Sequence, residues 1–161
     1  MLTDFKNLPD DSRIWIYQAN RKLSDDEVAE ITTRTEDFLT KWTAHGAELE
    51  AAVEIKYNRF IVIGLNQANA SASGCSIDAS VHFIQSLQEK FDVDLLDKMN
   101  VTFYSGDYIA FKTLADFRKM AKEKSVSKNT VVFNNLVNTK AEYLENWEVP
   151  AQESWHNRFL S

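Results

Sequence analysis

Two β-rich runs, residues 49–57 and 59–65, flank Asn58, and this pair constrains the fold more than any other stretch of the chain. A polar residue that tolerates positive φ between two strand-forming runs favours a tight reversal, so the segment predicts a hairpin with its turn at Tyr57-Asn58-Arg59. Helices are predicted on either side. Ser24-Asp25-Asp26-Glu27 is a capping box: the Ser24 hydroxyl accepts from the Glu27 amide, the Glu27 carboxylate reaches back, and Leu23 can staple onto Val28. Val28, Ile31, Phe38, Leu39 and Trp42 then recur at helical spacing, with Thr35 filling the same stripe, so one face packs on a sheet. Gly46 is the expected left-handed stop. After the small residues 68–74, Ile77, Val81, Ile84, Leu87 and Phe91 share one broad face at 100° per residue, which predicts a second helix ending near Phe91.

Arg-Ile-Trp-Ile-Tyr-Gln at 13–18, entered from the turn-forming Pro9-Asp10-Asp11-Ser12, reads as the first strand. Residues 100–104 read as a fourth strand, Ser105-Gly106-Asp107 as a turn and 108–111 as a fifth strand. The order βαββαβ implies an α+β chain with a ferredoxin-like core, a mainly antiparallel sheet with helices on one face, over about residues 12–112. A C-terminal strand and helix extension, about 113–161, is expected to hold a helix at 114–124, a strand at 130–137 and a tail bearing Tyr143, Trp147, Trp155 and Phe159. Such a tail docks on the body or on a second copy. With 161 residues, four Gly and two Pro, the chain fits a single domain, 1–161, with little room for linkers.

The formal net charge of −6 disfavours nucleic acid and anionic lipid as partners unless a local basic patch exists. Cys75 is the only cysteine, which excludes an intrachain disulfide and fits a reducing compartment. No basic segment leads into an apolar one at the N-terminus, and nowhere do about 18 apolar residues run together. The expected location is therefore cytoplasmic, with no membrane partner. Ten Phe, five Tyr and four Trp supply large areas for core packing and, secondarily, for interfaces.

The segment 71–78, Ser-Ala-Ser-Gly-Cys-Ser-Ile-Asp, holds the candidate chemistry. Ser71, Ser73, Gly74 and Ser76 precede or open a helix, where free amides bind anions, and the helix dipole favours a reactive thiolate at Cys75. The same residues suit an ordinary N-cap. Cys75, Asp78 and His82 fall on the face opposite Ile77, Val81 and Ile84. Cys75 and His82 are nevertheless roughly 10 Å apart along the axis, too far for direct proton transfer. Asp78 and His82, at i and i+4, form a better-placed pair. A base for Cys75 must come from elsewhere: His45, read as a helix-end residue beside Gly46, or His156, in a terminal segment able to fold back over the loop. No spacing of C-x-x-C, H-x-x-x-H or H-E-x-x-H is present, so no metal and no cofactor is implied. The acidic clusters Asp10-Asp11 and Asp25-Asp26-Glu27 read as turn and cap chemistry.

Four motifs together, L-P-D-D-S-R-I-W-I-Y-Q-A-N at the start, G-C-S-I-D followed by H-F-I, V-F-N-N-L-V, and N-W-E-V-P-A-Q-E-S-W-H-N-R-F-L at the end, resemble an uncharacterised family of small bacterial proteins. The resemblance covers almost the whole chain. Members often carry the automatic label "ABC transporter ATPase", which the residues do not support. An ATP-binding cassette needs G-x-x-x-x-G-K-[ST], whose amides and lysine cradle the phosphates. Gly46, Gly64, Gly74 and Gly106 include no pair five residues apart and none followed by lysine, and L-S-G-G-Q is absent. The resemblance therefore brings no catalytic residues with it. The expected function is a non-catalytic binding or protein-interaction module, homodimeric in one version through a sheet face or the aromatic tail. The alternative is a small enzyme or an anion- or phosphate-binding protein that uses the 71–78 loop with Cys75. Single-stranded nucleic acid binding ranks last, because the strands lack an aromatic and basic stacking pattern.

Overall fold

The computed structural model describes residues 1–160. Its elements in chain order are β1 (Arg13–Gln18), α1 (Asp25–Lys41), β2 (Thr43–Ala44), β3 (Ala47–Glu48), β4 (Glu50–Lys56), β5 (Phe60–Asn66), α2 (Gly74–Phe91), β6 (Val101–Ser105), β7 (Tyr108–Lys112), α3 (Leu114–Lys122), β8 (Val131–Phe133), α4 (Lys140–Asn146) and β9 (Glu148–Pro150). The protein is α+β, and every strand-to-strand pairing is antiparallel. Two compact units are present: Met1–Leu96 with Asn138–Ala141, and Asp97–Val137 with the rest of the C-terminal segment.

In the first unit the sheet order is β1-β5-β4. Tyr57 and Asn58 take φ of 55° and 54°, the left-handed conformation that a tight hairpin reversal uses, so the turn lies where the sequence places it. β5 is buried along nearly its whole length. Ile61, Ile63 and Leu65 face a core shared with Ile31 and Leu39 of α1 and Ile84 and Leu87 of α2. Phe60, Val62 and Gly64 face the other way, in register with Ile14 and Ile16 of β1. A Cβ at Gly64 would run into Leu8 and sit 3.2 Å from Ile14 Cδ1, so glycine here permits the N-terminal segment to lie close on the strand.

That segment is held by a buried amine. Lys140 Nζ donates to the carbonyls of Phe5, Lys6 and Leu8 at 3.2, 3.3 and 2.7 Å, and its ammonium lies 5.7 Å from the Phe5 ring centroid. The backbone beside it also pairs, with Ile14 N donating to Asn138 O at 2.9 Å and Lys140 N to Ser12 O at 2.9 Å. Residues 138–141 thus occupy the outer edge of β1.

α1 begins on the predicted capping box, with Ser24 and Glu27 bonded reciprocally. Arg21 grips the same Glu27 through both guanidinium nitrogens at 2.9 and 2.8 Å, which holds that carboxyl down to about 2. Ile31, Thr35 and Leu39 are its buried stripe, and Thr35 Oγ1 donates to Ile31 O. The helix ends earlier than Gly46 suggests, at Lys41, because Trp42 turns out of it to pack on Trp15 and Phe38. His45 and Gly46, with φ of 52° and 80°, instead form the two-residue turn of a β2–β3 hairpin.

In the second unit the sheet order is β7-β6-β8-β9. Gly106, at φ 62°, opens the β6–β7 turn. Phe117 of α3 lies edge-on to Phe103 of β6 at 5.8 Å, within a core that includes Val101, Val132 and Ala151. The strand expected over 130–137 stops at Phe133. Asn134 and Asn135 end it: Asn134 Oδ1 accepts from Leu136 N, and Asn135 Oδ1 accepts from Trp147 Nε1 at 2.8 Å. The tail rings pack within this unit, with Trp147 at 4.9 Å from both Phe133 and Tyr143.

This pairing differs from the ferredoxin-like order expected from the sequence. A split βαβ sheet would bring a fourth strand beside β1, but β6 pairs with β7 and β8 in a separate sheet. Element order cannot distinguish the two, because it records which segments are strands and not which edge each one finds. Residues 138–141, from much later in the chain, take the position next to β1.

Replacing Lys140 by Met keeps most of its volume and removes the donor shared by the buried Leu8 carbonyl and the part-buried carbonyls of Phe5 and Lys6. The expected loss is about 1–3 kcal/mol in denaturant unfolding, with faster hydrogen exchange at Leu8. A midpoint equal to that of the parent protein would show that the amine does not anchor the N-terminal segment. Gly64→Val is expected to cost about 1–3 kcal/mol by overpacking against Leu8 and Ile14.

Candidate functional site

α2 starts at a second, unrecognised capping box. Ser73 Oγ accepts from Ser76 N at 3.1 Å, and Ser76 Oγ accepts from Ser73 N at 2.7 Å. The first helical bond runs from Ile77 N to Ser73 O, which leaves the amides of Gly74 and Cys75 without a partner among the described residues. No acidic side chain lies in the first turn to offset the positive end of the helix dipole. Ser76 and Ser80 are buried rather than exposed, and their small side chains bring the helix close to its neighbours. Their hydroxyls are satisfied locally, Ser76 donating to Ser73 O and Ser80 to Ile77 O. The inward face is thus Ser76, Ser80, Ile84 and Leu87, while Ile77 and Val81, expected to be central, are only half-buried.

Trp42 fixes this helix start to the end of α1. Its indole Nε1 donates to Ser76 O at 2.8 Å, and the ring is only 3% exposed. Around the joint lies an open groove of about 510 Å³. Phe38 and Trp42 form an aromatic wall, 5.8 Å between ring centroids, with Phe38 braced on Phe83 by a 4.7 Å stack. Lys41 from the last turn of α1 and His45 from the β2–β3 turn line the groove, as do Ser73 and Cys75 from α2. Lys41 and His45 are exposed and make no ion pair among the described residues. The Lys41 ammonium, the His45 imidazole and the α2 start therefore meet an apolar wall and an exposed thiol. Such a set can hold a carboxylate or phosphate by charge-assisted hydrogen bonds while an attached apolar group rests on Phe38.

The structure sorts the other candidates. Gly74 and Ser71 are exposed at the loop, Ser73 is half-buried and Ser76 is buried. Asp78 and His82 are exposed on the outer face of α2 and make no ion pair with each other among the described residues. His45, set aside in the sequence as a helix-end residue, is the imidazole that shares the groove with Cys75. Its role depends on a hairpin of two-residue strands, too short to register in a pattern search. Lys41 reads in sequence as an ordinary last-turn cation. Among the described residues no three His, Cys, Asp or Glu side chains converge as a metal site.

His156 is wholly buried in the second unit. Its ring stacks on Trp155 at 3.9 Å and meets the edge of Phe117 at 5.8 Å. Nδ1 lies 2.7 Å from Ser154 Oγ, while Nε2 has no partner, and burial lowers the imidazole pKa to about 4. It is packed as a neutral core residue. No family model, curated protein or solved structure matches the chain. No helix among the described residues is long and apolar enough to cross a membrane.

Because His156 is held neutral when folded and titrates near 6.5 when unfolded, the unfolded state binds the extra proton between these values. Stability is then fully present above pH about 6.5 and is lost as pH falls toward about 4, by at most about 3 kcal/mol. His156→Phe is expected to flatten this part of the stability profile relative to the parent protein. Parallel profiles for the two between pH about 4 and 6.5 would count against a buried neutral imidazole.

Proposed function

We propose that the protein is a cytoplasmic, non-catalytic binding module whose ligand seat is the groove at the start of α2. One observation carries this reading: Lys41, His45 and Cys75, whose amide is unbonded at the helix start, converge from separate elements beside the Phe38–Trp42 wall. The ligand that suits such a surface is a small molecule with a carboxylate or phosphate next to an apolar or aromatic group. Burial of Tyr143 and Trp147 within the second unit weakens the tail-mediated version of a protein-interaction module and favours a small ligand. The four motifs quoted above support placing the chain with the bacterial family it resembles. A second reading, an enzyme using Cys75, is supported by the exposed thiol and His45 lining one groove.

Alkylation of Cys75 by iodoacetamide in the folded protein reports on both. The expected result is that phenyl phosphate slows labelling in a saturable way, and that Lys41→Gln weakens this protection by at least about fivefold, as loss of a charge-assisted contact does. Cys75→Ser retains phenyl phosphate binding if the site is a binding seat. Fast alkylation that persists below the ordinary thiol range and is lost in His45→Gln would shift the assignment to the enzyme. Labelling indifferent to phenyl phosphate and to phenylacetate would remove the groove as a ligand site.

A further inference from the structure

A patch of unbalanced positive charge lies on α3, in the second unit. The amphipathic spacing of this helix buries Phe117 and Ala121 and turns Ala115, Arg118, Lys119 and Lys122 outward. These four residues line an open hollow of about 250 Å³, to which Ala115 contributes only a methyl group. Lys124 and Lys128 continue the positive charge along the chain, so that Arg118, Lys119, Lys122, Lys124 and Lys128 outnumber the two acids of the stretch, Asp116 in the first turn and Glu123 after the last. None of these cations has an ion pair among the described residues.

Like charges one helical turn apart repel, as Arg118 and Lys122 do at i and i+4. The guanidinium of Arg118 is also held in place, 5.6 Å from the Phe159 ring centroid, and Arg158 shares that ring at 6.0 Å. A planar fork and two ammonium groups around a hollow present more positive charge than a single carboxylate can neutralise. An extended polyanion is opposed by the net charge of −6 on the whole chain, whereas a compact multivalent anion feels mainly the local patch.

We propose that this face of α3 binds the polyphosphate group of a small phosphorylated ligand, at a site independent of the α2 groove. The anion sits over Ala115, the Arg118 guanidinium pairs with two of its oxygens, and Lys119 and Lys122 neutralise the remaining charge.

The test is titration of the full chain with inorganic tripolyphosphate, followed by calorimetry and by amide chemical shifts. The expected result is saturable one-to-one binding with shifts centred on α3, weakened at least about tenfold by the pair Lys119→Gln and Lys122→Gln. Ala115→Leu, which fills the hollow without altering charge, is expected to weaken binding to a similar extent, and Lys22→Gln to leave it unchanged. The proposal is overturned by undiminished affinity in Ala115→Leu, or by an equal loss in Lys22→Gln, which indicates diffuse counterion attraction. Shifts centred on Lys41 and His45 overturn it in favour of the groove. Tighter binding of an oligothymidylate than of tripolyphosphate overturns it in favour of an extended nucleic acid.

Discussion

Burial of β5 on both faces is the constraint from which the first unit follows. Ile61, Ile63 and Leu65 must be covered on one side and Phe60 and Val62 on the other, each large side chain contributing about 1.5–3 kcal/mol once out of water. α1 and α2 supply the first cover. The second requires close approach of the N-terminal segment, which Gly64 permits, and that segment carries carbonyl groups that cannot remain unbonded. Lys140 satisfies three of them at once, so a residue late in the chain completes a core begun by the first strand.

The groove is a by-product of the same packing. With α1 and α2 laid on one sheet face, the end of the first and the start of the second come together, and Trp42 locks them by bonding Ser76 O. The small inward residues Ser76 and Ser80 permit that approach. Turning Trp42 inward ends α1 and sends the chain into the β2–β3 hairpin, whose corner carries His45 to the rim. A helix start with no acid in its first turn thereby faces two basic side chains and an aromatic wall, a combination suited to an anion with an apolar neighbour.

Aromatic residues serve mostly as structure here. Trp147, Tyr143 and Phe133 form one cluster of the second unit, and Phe117, His156 and Trp155 another. His156 shows how burial changes what a residue can do: a nitrogen that offers general-base chemistry in solution becomes an unpartnered, neutral core atom. The exposed chemistry lies elsewhere, on short side-chain sets whose members look ordinary one at a time.

Local rules made much of the secondary structure legible. The capping box at Ser24, the positive-φ turn at Asn58, the α1 stripe of Ile31, Thr35 and Leu39, and the α2 span to Phe91 all depend on residues within a few positions of one another. The sequence also placed Cys75 at an exposed helix start, because capping residues announce themselves. It could not assign β6 to a second sheet, seat residues 138–141 beside β1, or choose His45 over His82 and His156 as the imidazole near Cys75. Those outcomes rest on which strand edge and which helix end meet in space. Such meetings are decided by burial of both faces of β5 and by satisfaction of distant backbone carbonyls, quantities that belong to the folded chain and to no short segment of it.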